Sequence, residues 1–250
     1  MHRSASRLTR VLACAAVPVI LVATGCSSDS GSDSGSGSGS SSGGGTSKDS
    51  SAASQTPTPK PTPTLEKAAF AKLPEPCKVV TQKTIEKLVA EAKDEDGTAA
   101  KSNDLSSRAT CSWNGLDENG LKGSDYRWLA VSLARYDSHE SLGSGNKRAE
   151  EQYTKQVDAA KATQGAKNLK VAPAAGIGNQ ATTLTYGVKK DVEFFNQTVV
   201  ARTENVVITL DYNGAAYEGA KAPDVAELLA DAIAAAKESV AAIAAANKTA

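Results

Sequence analysis

The chain has 250 residues, with 28 Lys and Arg against 28 Asp and Glu. Loss of an N-terminal segment carrying Arg3, Arg7 and Arg10 leaves 25 basic and 28 acidic residues, so we expect a weakly acidic mature protein. The sequence contains no cluster of Lys and Arg. It therefore predicts neither a nucleic-acid-binding surface nor attachment to an anionic membrane through basic residues. Aromatic residues make up 4% of the chain, which predicts a mainly aliphatic core.

Residues 1–25 have the pattern of a secretory signal peptide. A basic start that ends at Arg10 is followed by an apolar run over 11–23, broken by Pro18. Basic, apolar and small-residue segments in this order are typical of an export signal. The apolar run is shorter than the roughly 20 residues that a membrane-spanning helix needs.

The apolar run closes on Leu21-Val22-Ala23-Thr24-Gly25-Cys26. This stretch resembles the bacterial lipoprotein lipobox, in which the cysteine receives a thioether-linked diacylglycerol. The resemblance implies a palmitate-type lipid on Cys26 and attachment to the extracytoplasmic face of the cell membrane. Two acyl chains anchor a protein stably where one does not. The alternative is an ordinary signal peptide cut near Ala23, with Cys26 left as a free thiol.

Residues 26–64 read as a disordered tether. Ser, Gly and Asp dominate up to Ser54, and a Pro-Thr repeat follows over 56–64. The first part lacks apolar residues to bury and should be a flexible coil, whereas the repeat should form an extended polyproline helix. We expect a root-mean-square reach of about 35 Å. Docking of the Pro-rich part and O-glycosylation are the alternatives.

Residues 65–250 are long enough for one domain with its own core. Helical spacing of apolar residues predicts a helix over Thr81–Ala92 with Thr81 as the N-cap. We expect a polar loop over 93–107, a short strand over 110–113 and a turn-rich connection over 116–125.

Residues 126–136 form the clearest predicted strand. Leu129, Val131 and Leu133 alternate with a second set that includes Tyr126 and Trp128. A strand that is apolar on both sides is covered on both, or presents its aromatic side to a ligand; we favour full cover. A highly charged helix with a thin apolar face is predicted over 146–164.

The C-terminal part predicts three more strands and a helix. A turn at Gly176-Ile177-Gly178 leads into a strand over 182–186. A hairpin joins 191–203 to 205–212, with a tight turn at Glu204-Asn205 because Asn tolerates a positive φ. An amphipathic helix runs over 223–246. Helices packed on strands joined by short turns predict an α+β fold with a mainly antiparallel sheet.

Two cysteines, Cys77 and Cys111, remain in the domain. In an exported protein such a pair most simply forms a disulfide. A metal site is the rival, but two thiols and one distant histidine are too few ligands for structural zinc. We therefore predict no metal and no cofactor.

Three pieces together carry a family resemblance: Pro76-Cys77 before a helix, Cys111-Ser112-Trp113, and the 176–178 glycine pair followed by a hairpin and a final helix. The pattern resembles that of actinobacterial exported lipoproteins with domain of unknown function 3558. The resemblance implies a Cys77–Cys111 disulfide, a lipid anchor, and a surface-exposed α+β domain similar to PsbP-like folds. It implies no reaction.

Nothing in the sequence supports an enzyme. His139 lies in a polar stretch with no paired nucleophile, and no H-E-x-x-H, G-x-S-x-G or phosphate-loop motif is present. We predict no catalytic residue. A domain on a flexible tether suits capture of an unknown cell-surface protein or small ligand, with Trp113, Tyr126, Trp128 and Tyr136 as candidate contacts. A structural cell-envelope role and an uncharacterised enzymatic activity are the alternatives.

Overall fold

A computed structural model describes residues 65–248, so the predicted signal peptide, Cys26 and the predicted tether lie outside the described residues. In chain order, the helices and strands are α1 (Gln82–Leu88), β1 (Thr98–Ala99), β2 (Arg108–Glu118), β3 (Ser124–Arg135), α2 (Gly145–Lys161), β4 (Ala166–Pro173), β5 (Gln180–Lys189), β6 (Glu193–Thr203), β7 (Val206–Tyr217) and α3 (Val225–Ala246). Within this part of the chain, no helix combines the length and the apolar character that crossing a bilayer requires.

The strands form one antiparallel sheet in the order β1-β2-β3-β7-β6-β5-β4. Each strand except β3 and β7 pairs only with its neighbours in sequence. The β3–β7 pairing joins the two halves of the domain along the full length of β3, from Ser124↔Tyr217 to Arg135↔Val206. Helix α2 carries the chain from β3, inside the sheet, to β4 at its edge. The predicted α+β fold with an antiparallel sheet is confirmed.

The main core lies between the sheet and α3, on the side that we call the α3 face. Leu129, Val131 and Leu133 of β3 point to this side, as the alternation predicted, and each is at most 2% exposed. Helix α3 contributes the buried residues Leu228, Ala232, Ala235, Ala236, Ser239 and Ile243. Four of these residues are small, which lets the helix backbone approach the sheet closely in a core with few aromatic residues.

The opposite side, the α2 face, carries a second and smaller core. Ala149 and Val157 of α2 pack on Leu184, Val200 and Val207. These residues cover only the part of the sheet that lies under α2. The aromatic side of β3 is therefore only partly covered, which corrects the expectation of full cover on both faces of this strand.

The disulfide between Cys77 and Cys111 is present and links a short 3-10 turn, Pro76–Lys78, to β2. Cys111 is fully buried beside Trp113, in the core of the α3 face. The bond thus fastens the segment that precedes α1 to the sheet.

Asn205 holds the start of the domain in place. Its Oδ1 accepts a hydrogen bond from the Phe70 amide at 2.8 Å, and its Nδ2 donates to the carbonyls of Phe70 and Tyr136, each at 2.9 Å. The side chain is fully buried, so these bonds are not exchanged for bonds to water. Asn205 was expected in the β6–β7 turn because Asn tolerates a positive φ. In the structure it acts through the hydrogen bonds of its side-chain amide. The positive φ of that turn falls on Glu204, at 51°, which corrects the prediction.

The predicted helices are confirmed, with shifted ends. Thr81 caps α1 by accepting a hydrogen bond from the Thr84 amide, but the helix stops at Leu88. Asp224 caps α3 through the amides of Ala226 and Glu227, so Pro223 lies before the helix and not in its first turn. A carboxylate in this position also complements the helix dipole.

Two strands were missed and one connection was misread. β1 is two residues long, within the predicted polar loop, and β4 is an edge strand exposed at seven of its eight positions. Edge strands carry little apolar alternation, which is why the pattern did not reveal them. Residues 116–118 continue β2, because Gly115 lets the backbone pass against the Ala90 carbonyl, where a Cβ would clash at 2.2 Å.

Replacing both Cys77 and Cys111 with alanine should lower the free energy of unfolding by about 3–4 kcal/mol, because the disulfide closes a loop of 34 residues in the unfolded chain. Urea unfolding followed by circular dichroism measures the change. Wild type in reductant should lose a similar amount, and a loss below about 1 kcal/mol in both would contradict the proposed stabilisation.

Candidate ligand-binding groove

The structure separates the four aromatic residues that the sequence suggested as contacts. Trp113 is 2% exposed in the core of the α3 face, where it packs with Cys111. Tyr126 and Trp128 lie along β3 on the α2 face and are half-buried. Tyr136 also packs on the α2 face, but at the far end of the strand, beneath the Arg148 guanidinium at 5.7 Å. Only Tyr126 and Trp128 are thus brought together.

Beside α2, the sheet forms an open groove of two adjoining parts. The inner part, of about 320 Å³, is lined by Trp128, Tyr186, Asn196, Thr198, Asp211 and Asn213, with Gln156, Ala160 and Thr163 at its rim. The outer part, of about 670 Å³, shares Trp128, Tyr186, Asn196 and Asn213 with it and adds Tyr126, Phe194 and Lys190. These volumes are in the range of small-molecule sites.

Strand register explains why these side chains meet. Trp128 of β3 is opposite Asn213 of β7, Asn213 is opposite Asn196 of β6, and Asn196 is opposite Tyr186 of β5. Directly opposed residues of an antiparallel sheet share a face, so these four form one row across four strands. Three strand spacings separate the two aromatic ends of the row by about 14 Å. The groove therefore has aromatic walls and an amide floor.

Asp211 lies one step further along β7, on the same face as Asn213. Its Oδ1 accepts a hydrogen bond from the hydroxyl of Thr198, its cross-strand neighbour, at 2.6 Å. No Lys or Arg within residues 65–248 forms an ion pair with it. Burial raises the pKa of Asp211, and the Thr198 hydrogen bond, which acts in the opposite direction, does not offset it.

Asn213 adds a second acceptor, and this one has no donor among the described residues. Its Oδ1 is buried and has no hydrogen-bond partner among the described residues. A buried polar atom left unpaired costs about 1–3 kcal/mol, so such atoms are uncommon in folded proteins. Asn196, across the strand, is partly satisfied, since its Nδ2 donates to the Phe194 carbonyl at 3.0 Å.

The outer part is aromatic. The rings of Tyr126 and Phe194 meet edge to face, with centroids 6.1 Å apart. The Lys190 ammonium lies 5.4 Å from the Phe194 ring centroid. Edge-to-face contacts favour fixed orientations of such rings. The Tyr126 and Phe194 rings can therefore hold their positions while the outer part of the groove stays open.

Helix α2 is held over the sheet by its own contacts. The Tyr153 hydroxyl and Thr182 Oγ1 are 2.6 Å apart, and Val157 packs into the smaller core. Gln156 and Ala160, on the neighbouring side of the helix, reach the rim of the groove. The groove is thus bounded by a packed helix and not by a loop.

The groove presents hydrogen-bond acceptors and the faces of aromatic rings. His139 lies in an exposed loop, where its Nδ1 accepts from the Ser141 amide at 3.2 Å. Among the described residues that line either part of the groove, Asp211 is the one carboxylate. Within residues 65–248, no three His, Cys, Asp or Glu side chains converge in the manner of a metal site.

Asp211, Asn213 and Asn196 were not among the residues that the sequence suggested. A signal for two of them was present: Thr209, Asp211 and Asn213 alternate with Ile208, Leu210 and Tyr212, which marks one polar side of β7. That the polar side meets Trp128 depends on the β3–β7 pairing, which no local pattern reveals.

The model of the family described as "Protein of unknown function (DUF3558)" matches residues 21–188, more than half of the chain. The chain belongs to this family. The resemblance seen in the cysteine and tryptophan motifs is therefore confirmed. The match begins before Cys26 and includes both disulfide cysteines, Trp128 and Tyr186. The polar floor of the groove, on β6 and β7, lies beyond its end.

No curated protein matches the chain. Among solved structures, the crystal structure of LpqN, described as involved in cell envelope biogenesis of Mycobacterium tuberculosis, is similar at 15% identity. The alignment covers 57% of this chain and 82% of LpqN, with a TM-score of 0.28. So low a score supports no statement about this chain, and the likeness to PsbP-like folds stays a prediction.

Replacing Asp211 with Asn should stabilise the domain at neutral pH. The folded-state pKa of this carboxyl lies above its unfolded value, so wild type loses stability as pH rises above about 4 and the carboxylate forms. Asn keeps an acceptor for Thr198 and carries no charge. We expect a melting temperature higher by about 2–4 °C at pH 7, equivalent to about 1 kcal/mol, and no difference near pH 3. A lower melting temperature at pH 7 would contradict this account.

Proposed function

We propose that this protein is a lipid-anchored, extracytoplasmic binding module that captures a small ligand or a group on a cell-surface partner in the groove beside α2. The groove supplies the site, the tether supplies reach, and the lipid on Cys26 supplies attachment. Catalysis is not part of the proposal.

The observation that carries the proposal is Asp211. It is a carboxylate in an open groove, destabilised by burial, with Thr198 as its hydrogen-bond partner and no cation paired with it. A carboxylate in this position weakens the folded domain, and perturbed ionisable groups in clefts are concentrated at functional sites. Together with the unpaired Asn213 oxygen, it leaves the groove with bonds that only a ligand or ordered water would complete.

Support for the anchor comes from the sequence. The basic start, the apolar run and the small residues before Cys26 are in the order of a lipoprotein signal. The family match starts at residue 21, and so takes in this stretch. Because the mature chain is weakly acidic, attachment to an anionic bilayer rests on the lipid and not on charge.

Replacing Cys26 with Ser should abolish incorporation of labelled palmitate and release the protein from the membrane fraction, because the thioether can no longer form. Cys14 provides a matched control, since the same replacement inside the predicted signal peptide should change neither readout. Label retained in the Cys26 variant, or a signal-length extension retained in wild type, would contradict the anchor.

A photoreactive benzoylphenylalanine in place of Gln156, an exposed residue at the groove rim, tests the binding site in intact cells. The matched control places the same group at Ala230, which is exposed on α3 behind the opposite face. We expect an adduct of defined mass on the full-length protein at position 156 only. Identical products at both positions, or none at 156, would refute the groove as the binding site.

A further inference from the structure

We propose that the groove recognises an organic ammonium group, with Asp211 as the counter-ion and Trp128 and Tyr186 against the apolar body of the ligand. This inference rests on the proposed function and adds the chemical class of the ligand.

The vacant hydrogen-bonding positions on the α2 face of the groove are acceptors. Gln197 Nε2, a buried donor without a partner among the described residues, also lines the inner part, but Gln197 alternates with Thr198 along β6 and so points to the α3 face. An ionised carboxylate offers about four acceptor sites, and Thr198 fills one on Asp211. The Asn213 Oδ1 is buried and takes no donor from the described residues. Successive residues on one face of a strand are about 7 Å apart, so both acceptors face the same part of the groove. A ligand that completes them must bring several donors, and an ammonium brings up to three.

Charge separates an ammonium from a neutral polyol. A polyol would donate hydrogen bonds but leave the negative charge of the half-buried Asp211 uncompensated. An ammonium supplies both the hydrogen-bond donors and the compensating positive charge. Charge-assisted hydrogen bonds are also about twice as strong as neutral ones. The lining of the inner part contains no Lys or Arg that already occupies this position. An anionic ligand would meet like charge there.

The aromatic walls of the groove also favour an ammonium ligand. Tryptophan and tyrosine faces attract cations, most strongly where water is excluded. Trp128 and Tyr186 stand at the two ends of the row that holds Asn213 and Asn196. The chain already makes this type of contact in the outer part, where the Lys190 ammonium lies over Phe194 at 5.4 Å. Lys190 is at the outer end, so the inner part remains open to a ligand.

The test uses a matched pair of probes, 2-phenylethylammonium and 2-phenylethanol, which differ in the ammonium group alone. The full mature chain carrying Cys26→Ser avoids detergent, into which both probes would partition. Fluorinated tryptophan gives two resonances, since the chain has two tryptophans. Trp128 reports on the groove, and Trp113, which is 2% exposed, serves as the internal control.

We expect the ammonium to shift the Trp128 resonance saturably and the alcohol to bind at least tenfold more weakly. Asp211→Asn should reduce affinity for the ammonium at least tenfold. Asp96→Asn, which makes the same charge change on an exposed loop, should leave it unchanged.

Equal binding of the two probes, or full affinity in Asp211→Asn, overturns the ammonium class while leaving a functional groove. A Trp113 shift equal to that of Trp128, or no saturable shift at all, also overturns it. Whether the groove binds anything in the cell is decided separately by the adduct at position 156, so the failure of one proposal is distinguishable from that of the other.

Discussion

The pairing of β3 with β7 is the constraint on which the rest of the structure depends. It joins a strand from the first half of the domain to the last strand of the second, in continuous register from one end of β3 to the other. A shift of one residue would turn every side chain of one strand to the opposite face. The core on the α3 face and the row from Trp128 to Tyr186 therefore come from the same backbone register.

The groove follows from unequal cover of the two faces. Seven strands make a sheet about 34 Å wide, whereas one helix with its side chains is about 10–12 Å across. On the α3 face, the N-terminal segment and α1 add to the cover of α3, and the disulfide fastens that segment to β2. On the α2 face, α2 packs over part of the sheet only. The uncovered remainder carries the amide and carboxyl side chains of β6 and β7, with the aromatic rings of Tyr126, Trp128, Tyr186 and Phe194 around them.

Sequence patterns were informative where the information is local. Amphipathic spacing located α2 and α3, alternation assigned Leu129 and Trp128 to opposite faces, and the cysteine pair gave the disulfide. The sequence patterns did not predict β4, because an exposed edge strand has no apolar side. The four aromatic residues named as candidate contacts do not lie together, because Trp113 is on the buried face and Tyr136 is at the other end of β3, and local patterns carry no information on such distances.

By itself, the sequence determined the elements with strong periodicity, the α+β class and the family, and it predicted the signal-like start and the tether, because each is read from short local motifs. Only the tertiary structure decided that Asp211 and Asn213 stand beside Trp128 with an unpaired charge and an unpaired oxygen. The β3–β7 partners, from Ser124↔Tyr217 to Arg135↔Val206, are far apart in the chain and are chosen by the packing of the whole sheet, so no short stretch of the chain contains that choice.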